Sequence, residues 1–165
     1  MKRRSDFHKV IIGRAEELSL VDIDVKSIPA KTDTGAYRSA IHASDIKLDK
    51  KTNTLSFNLF KGHPMFDSFQ VNVIAKDFKQ VLVANSFGHS EKRYEVKLRT
   101  KLGPKVFLAK YTLADRSKKI YPILIGRKML NGRFLVDTFE TSVNRLELKK
   151  KYGVAFPKDE EEVAG

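Results

Sequence analysis

A single Asp-Thr-Gly triplet is the segment of this 165-residue chain whose residue types best suit catalysis. Asp33, Thr34 and Gly35 form the triplet, Ala36 follows it, and the apolar-to-polar stretch 28–32 precedes it. A strand that runs into Asp33 presents a carboxylate on a tight loop, where it can act as a general acid or base. Gly35 has no Cβ, so its backbone permits unusual dihedral angles and the close approach of a substrate or a second chain. Ordinary turns prefer the same residue types, so the triplet alone does not establish a site.

The second informative segment lies later in the chain, where three apolar residues precede Gly126 and Arg127. The run that ends at Ile125 predicts a strand buried on both faces. A short helix is predicted over 127–130, ended by the Asn-Gly pair at 131–132.

Alternation of apolar and polar residues predicts the strands that must position these two segments. It occurs at four places, which are 21–25, 55–59, 94–98 and 107–113. Strands at this spacing, separated by turn residues, are typical of an all-β sandwich or barrel. We expect one domain over residues 1–165, with a core at about 8–140 and a basic, then acidic, tail at 149–165. No internal repeat is evident from the sequence.

Composition limits the function classes. The chain has 32 Lys and Arg against 20 Asp and Glu, a net charge of +12, which suits an acidic partner. The absence of Cys excludes disulfides, a thiol nucleophile and thiolate metal sites. No apolar stretch approaches the roughly 20 residues that a membrane helix needs, and no export signal is evident. We therefore expect a cytoplasmic protein with no membrane association.

The two segments, in this order and about ninety residues apart, together resemble the signature of retropepsin-like aspartic peptidases. A closer similarity is to a bacterial and archaeal family of such proteins, labelled ATP-dependent zinc proteases, over 31–43, 85–93 and 115–137. The resemblance implies an all-β, retropepsin-like closed barrel (the acid protease fold) with one short helix. It implies that Asp33 is catalytic.

The resemblance also assigns the residues around Asp33. Thr34, Gly35 and Ala36 would form the active-site loop and bind the substrate backbone. Ile125, Gly126 and Arg127 would form the structural motif of the later segment.

Only one Asp-Thr-Gly triplet is present, whereas bilobal aspartic proteases have two such triplets on a chain roughly twice as long. The near repeat at Asp137-Thr138-Phe139 carries Phe where close approach requires Gly. An aspartic peptidase of this type must therefore form a homodimer with the Asp33 loop of both copies on the two-fold axis. Two adjacent carboxylates would share one proton, the ionised one activating water and the protonated one donating to the scissile carbonyl.

Retropepsins close over substrate with a hairpin between the two motifs. Asn85, Phe87 and Gly88 are the candidates for its tip, because Asn and Gly suit a mobile turn and Phe could cover a cleft. A plain surface hairpin is the alternative.

One departure from the retroviral pattern concerns the partner of Arg127. An acidic residue follows the Asp-Thr-Gly-Ala run in retroviral enzymes and pairs with that Arg, whereas Tyr37 and Arg38 follow here. Either another acid serves, with Asp115 as one candidate, or the dimer forms differently.

The sequence predicts neither a metal site nor a cofactor. Its four His residues are widely spaced and form no paired-His motif, and His42 is expected to be a structural or cleft residue. A peptide or protein substrate of acidic character is expected. Some members of the similar family lie beside ATP-grasp ligases, which suggests a functional link to such a ligase and the trimming of glutamate tails that it adds.

A non-catalytic function is the alternative, a dimeric β-barrel that binds nucleic acid or an acidic protein. Its cations would be those of one strand, with Tyr94 between them: Lys92, Arg93, Lys97, Arg99 and Lys101. Such a module would bind in a salt-sensitive manner that is indifferent to Asp33→Asn. A peptidase would instead lose turnover.

Overall fold

The computed structural model describes residues 8–85 and 87–153, so the part of the predicted tail beyond residue 153 lies outside the described residues. The strands are β1 (Val10–Ile12), β2 (Ala15–Leu20), β3 (Val25–Thr32), β4 (Ser39–Asp49), β5 (Thr54–Leu59), β6 (Val71–Ala75), β7 (Phe78–Ala84), β8 (Ser90–Leu102), β9 (Lys105–Ala114), β10 (Ile123–Ile125) and β11 (Phe134–Val136). The helices are α1 (Arg127–Leu130) and α2 (Arg145–Tyr152), and a one-turn 3-10 helix covers Pro64–Phe66. The all-β prediction and the helix at 127–130 are confirmed.

Six strands form a closed ring in the order β10-β3-β2-β8-β9-β4, because β10 pairs with β4 as well as with β3. The three-residue β10 runs parallel to β3 and antiparallel to β4. Strands β5 and β6 extend the sheet from β4, and β7 extends it from β8. A separate two-stranded sheet pairs β1 with β11 in parallel. The ring therefore holds the end of β10, with Gly126 and Arg127 directly after it, between two neighbouring strands.

The alternation of apolar and polar residues along the strands explains which side chains form the core. Leu55, Phe57 and Leu59 of β5 are fully buried, and burial of each such side chain contributes about 1.5–3 kcal/mol. In β8, Val96 and Leu102 are buried while the Lys and Arg residues between them face solvent. Ile123 and Ile125, on one face of β10, are fully buried, whereas Leu124 on the other face is only half-buried, so the prediction of burial on both faces holds fully for one face.

Two local predictions fail. The strand predicted over 21–25 begins only at Val25, because residues 21–24 form a turn with Asp24 at a φ of 51°. The basic cluster 149–151, expected at the start of the tail, lies in α2, a helix that was not predicted and that has no buried residue. The Asn144 side chain caps this helix by accepting from the N–H groups of Leu146 and Glu147.

Candidate active site

Asp33 lies at the end of β3, on a loop held by its own hydrogen bonds. Its N–H donates to the Ile125 carbonyl at 2.9 Å, which continues the pairing of β3 with β10. The Gly35 N–H donates to Oδ1 of Asp33 at 2.9 Å, and the Ala36 N–H donates to the Asp33 carbonyl at 3.2 Å. Asp33 is half-buried while Thr34 and Gly35 are exposed, so the loop presents its backbone to solvent. The loop can therefore meet a peptide or a second chain.

Gly126 and Arg127 hold this loop in place, and we call such a Gly-Arg pair a clamp. The Arg127 N–H donates to the Ala36 carbonyl at 2.8 Å, and its Nη1 donates to the carbonyls of Thr34 and Gly35 at 3.0 Å each. A Cβ on Gly126 would lie 2.5 Å from the Arg38 carbonyl oxygen, which is far inside van der Waals contact. Only glycine fits this crossing.

The structure contains a second loop of the same construction, around Asp137. Its N–H donates to the Ile12 carbonyl at 2.9 Å, the Phe139 N–H donates to Asp137 Oδ1 at 2.9 Å, and the Glu140 N–H donates to the Asp137 carbonyl at 3.2 Å. Strands β1 and β11 support this loop with the parallel pairing that β10 and β3 provide for the first. The hydrogen bonds thus match those around Asp33 one for one.

A Gly-Arg pair clamps the second loop as well. The Arg14 N–H donates to the Glu140 carbonyl at 2.9 Å, and its Nη1 donates to the carbonyls of Thr138 and Phe139 at 3.1 and 2.8 Å. A Cβ on Gly13 would lie 2.2 Å from the Glu140 oxygen. The sequence shows only a near repeat at 137–139, and the structure adds a repeat of the backbone hydrogen bonds. We call the two copies the Asp33 loop and the Asp137 loop.

The candidate acidic partner of Arg127 is corrected by these contacts. The Arg127 guanidinium donates to backbone carbonyls, and Asp115 does not pair with it. Oδ1 of Asp115 accepts instead from the N–H and Oγ of Ser117 at 2.9 and 2.6 Å, and these bonds lower the pKa of Asp115. Carbonyl oxygens can replace a carboxylate here because a guanidinium fork needs only acceptors.

Arg38, two residues after Ala36, is paired with Glu95 of β8. The Glu95 side chain is only 3 % exposed, and Arg38, Lys79 and Lys128 surround it. Burial raises the pKa of Glu95, but these three cations together hold it below its ordinary value. The base of the β7–β8 hairpin is thereby joined to the chain directly after the Asp33 loop.

Arg116 is a residue near Asp33 that the sequence interpretation did not single out. Its Nε donates to the Tyr121 carbonyl at 2.9 Å. Burial, with the like charge of Arg93, lowers the pKa of Arg116 to about 10, and attraction to Asp33 opposes this decrease. A positive charge therefore lies near the Asp33 carboxylate. Its position between Asp115 and Ser117, inside the stretch similar to known sequences, was the available signal.

The predicted flap residues lie at the tip of the β7–β8 hairpin. Oδ1 of Asn85 accepts from the N–H groups of Phe87 and His89 at 3.0 Å each, and Gly88 has a φ of +78°. Phe87 is 80 % exposed. Phe87 therefore presents its aromatic side chain to solvent beside the hydrogen bonds that Asn85 accepts.

The two buried histidines are fully engaged in hydrogen bonds. His42 donates through Nε2 to the Lys61 carbonyl at 2.7 Å and accepts at Nδ1 from the Arg116 N–H at 2.9 Å. His63 donates to the Lys119 carbonyl at 2.8 Å, and burial lowers its pKa to about 4. Within residues 8–85 and 87–153, no group of three or more His, Asp or Glu side chains is placed to hold a metal ion.

The cationic strand of the alternative function is partly neutralised. Lys97 pairs with Asp77 at 2.7 Å, Arg99 lies 3.5 Å from Asp22, and Arg93 pairs with its neighbour Glu91. Three of the five cations thus have acidic partners, which weakens any attraction to phosphates.

Comparison with known proteins places this geometry in context. A family model described as RimB-like, retropepsin-like aspartic endopeptidase RimB, matches residues 11–147, a range that contains both loops and their Gly-Arg pairs. The crystal structure of Lpg0085 from Legionella pneumophila, a protein described as having unknown function, aligns with a TM-score of 0.64. It is 29 % identical, and the match covers 80 % of this chain and 95 % of that one. The predicted retropepsin-like fold is confirmed.

The curated relatives have a different kind of name. A protein of Shewanella pealeana named probable alpha-L-glutamate ligase is 32 % identical over 156 residues, which are 89 % of this chain and 33 % of the relative. A protein of the same name from Desulfotalea psychrophila is 28 % identical over 97 % of this chain and 35 % of its own length. The chain thus spans about a third of the length of these relatives. Among the described residues no helix is long and apolar enough to cross a membrane.

Proposed function

We propose, since the chain belongs to the RimB-like family of retropepsin-like aspartic endopeptidases, that it hydrolyses peptide bonds with Asp33 as the catalytic carboxylate. The observation that carries the proposal is the frame of the Asp33 loop. One carboxylate oxygen is occupied by the Gly35 N–H, and the exposed loop leaves the other side of the group accessible. A carboxylate held in this way can take a proton from water as a general base.

The second carboxylate of the mechanism would come from Asp33 of a second copy in a homodimer. The ionised carboxylate takes a proton from the bound water, whose oxygen attacks the scissile carbonyl carbon. The protonated carboxyl donates its proton to the carbonyl oxygen, which gives a tetrahedral diol. Transfer of a proton to the amide nitrogen then allows the C–N bond to break. Arg116 would add a positive charge near this pair of carboxylates, which together keep one negative charge through these steps.

Glutamate-tailed peptides or proteins are the substrate class that we propose. The relatives named probable alpha-L-glutamate ligase contain a region similar to this chain within a length about three times greater. A ligase that adds glutamate and a peptidase that removes it act on the same bond in opposite directions. The net charge of +12 favours such an acidic substrate. A functional link to a glutamate ligase is part of the proposal.

The test compares Asp33→Asn with Asp137→Asn. Both aspartates lie in the same local hydrogen-bond frame, so the second variant is a matched control. Release of glutamate from a peptide that ends in four glutamates is followed by mass spectrometry. Turnover should fall about 1,000-fold in Asp33→Asn and stay within about twofold of wild type in Asp137→Asn. Sedimentation velocity should show dimers in both variants.

Three outcomes would overturn the proposal. One is full activity in Asp33→Asn. Another is equal loss in both variants. The third is the absence of turnover by a wild-type dimer on glutamate-tailed and on general extended peptides.

A further inference from the structure

A cationic cavity of about 650 Å³ opens beside the end of β3. The cationic and phenolic side chains of its wall are those of Arg14, Lys31, Tyr121 and Arg145. No Asp or Glu occurs among the described residues that line it. We call this space the basic cavity.

The basic cavity lies next to the Asp33 loop. Lys31 precedes Asp33 by two residues, and alternate residues of a strand point to the same side, roughly 6.5 Å apart. The hydrogen bond from the Asp33 N–H to the Ile125 carbonyl shows that the strand pairing continues as far as Asp33. Lys31 is exposed and forms no ion pair within the part of the chain that the structure describes. Its ammonium group is available to a ligand near the Asp33 carboxylate.

Tyr121 supplies an unpartnered donor to the same space. The residue is only 6 % exposed, yet its hydroxyl has no hydrogen-bond partner among the described residues. No fully buried side-chain oxygen or nitrogen in those residues lacks a partner, so this hydroxyl opens into the cavity that the ring lines. Burial raises the pKa of Tyr121, while the charges of Arg145 and Arg14 oppose that increase. Both arginines therefore lie near the hydroxyl.

Arg14 is held in a fixed orientation at the wall of the basic cavity. Its Nη1 donates to the carbonyls of Thr138 and Phe139, which leaves its remaining N–H groups for other acceptors. Because the clamp of the Asp137 loop fixes this side chain, little conformational entropy is lost when a ligand binds it.

We infer that the basic cavity binds the carboxylate of a Glu or Asp side chain in the peptide substrate, next to the bond that the water activated by Asp33 attacks. This inference rests on the proposed function. Cations and a hydroxyl donor around one space match the acceptor-only chemistry of a carboxylate. An apolar side chain there would remove water from these groups without replacing its hydrogen bonds, which is unfavourable. The basic cavity would thus select acidic residues.

The test measures binding of acetyl-tetraglutamate amide by fluorescence anisotropy in the Asp33→Asn background, which prevents cleavage. Lys31→Gln should weaken binding about tenfold, the size expected for one charge-assisted hydrogen bond. Tyr121→Phe, which removes only the hydroxyl, should weaken it about fivefold. Lys101→Gln removes the same charge from an exposed position on β8 and is the matched control, with an expected change below about twofold. Acetyl-tetraglutamine amide should bind more weakly and should not respond to Lys31→Gln.

The inference is overturned if tetraglutamate does not bind, if tetraglutamine binds equally well, or if Lys101→Gln has the effect of Lys31→Gln. Turnover of the wild-type protein is measured separately, so that failure of the cavity inference can be distinguished from failure of the proposed function. Binding that depends on Lys31 without any hydrolysis supports the cavity and contradicts the peptidase. Hydrolysis that depends on Asp33, with binding that does not change in Lys31→Gln, supports the peptidase and contradicts the cavity inference.

Discussion

The Asp33 loop and the Asp137 loop have the same frame and different contents. Each follows a strand in parallel pairing, bonds its own aspartate to the N–H two residues later, and rests on a Gly-Arg pair. In the first loop Gly35 and Ala36 follow Asp33 and Thr34, whereas Phe139 and Glu140 occupy the matching places in the second. Phe139 is 86 % exposed.

The hydrogen-bond frame alone therefore does not make a catalytic site. The frame fixes a carboxylate in space, and both loops achieve that. Gly35 leaves its backbone open to close approach, which the side chain of Phe139 obstructs. The charge of Arg116 near Asp33 is a second difference. Substitutions of residues that form the hydrogen-bond frame should therefore destabilise both loops to the same extent. Substitutions of the groups that act in catalysis should change activity only at the Asp33 loop.

The largest effect on stability should come from filling the two crossings. Gly126→Ala and Gly13→Ala each place a Cβ within 2.5 Å of a backbone oxygen, and each should lower the free energy of unfolding by about 3 kcal/mol. Gly153→Ala is the control, because its Cβ would meet only Lys149 Cβ at 3.7 Å. Urea unfolding measures all three. A cost confined to Gly126 would show that the Asp137 loop is not held in the same way.

Acid should destabilise the folded chain through His63, which is a property of neither loop. Its pKa is lowered from 6.5 to about 4, so between these values the unfolded chain binds a proton that the folded chain does not. Stability is therefore full above about pH 6.5 and falls as the pH decreases toward 4, by about 2 kcal/mol between pH 7.5 and 5. The measurement is urea unfolding at the two pH values. His63→Asn, which keeps an acceptor for the Met65 N–H, should reduce this dependence, and an unchanged slope would exclude His63 as its source.

The smallest effect should be that of the catalytic substitution on stability. Asp33→Asn and Asp137→Asn each retain an Oδ1 that accepts the N–H two residues later, so each should change the free energy of unfolding by less than about 0.5 kcal/mol. Thermal and urea unfolding measure this. A large loss of stability in Asp33→Asn alone would mean that its carboxylate has a structural role. The turnover of the two variants would then have to be compared under conditions in which both are fully folded.

The parts of the site that sequence could predict are those with a residue signature. The Asp-Thr-Gly triplet, the apolar run before Gly126 and the helix after it were all identifiable, because glycine at a close crossing and alternating strands leave a pattern. The Asp137 loop is visible in the sequence only as a near repeat, in which Phe139 replaces glycine. Its equivalence depends on backbone hydrogen bonds, which any residue can form.

Three other features could not be predicted from the sequence, namely the acceptors of Arg127, the basic cavity and helix α2. Arg127 was expected to need an acid, but carbonyl oxygens serve it, and carbonyls are the same in every residue. The basic cavity combines Arg14, Lys31, Tyr121 and Arg145, which only the folded chain brings together. Helix α2 was missed because the lysines of 149–151 suggested a solvated tail.

The buried Glu95 has a consequence for the movement of the β7–β8 hairpin. Its ion pairs fix one level of β8, while the strand continues five residues toward the tip, as far as Ser90, with β7 as its partner. At roughly 3.3 Å per residue, this length extends about 17 Å beyond the fixed level. Phe87 therefore lies far from the level that the ion pairs of Glu95 fix. A small bend of the hairpin at Glu95 would displace the Phe87 ring much more than the residues next to Glu95.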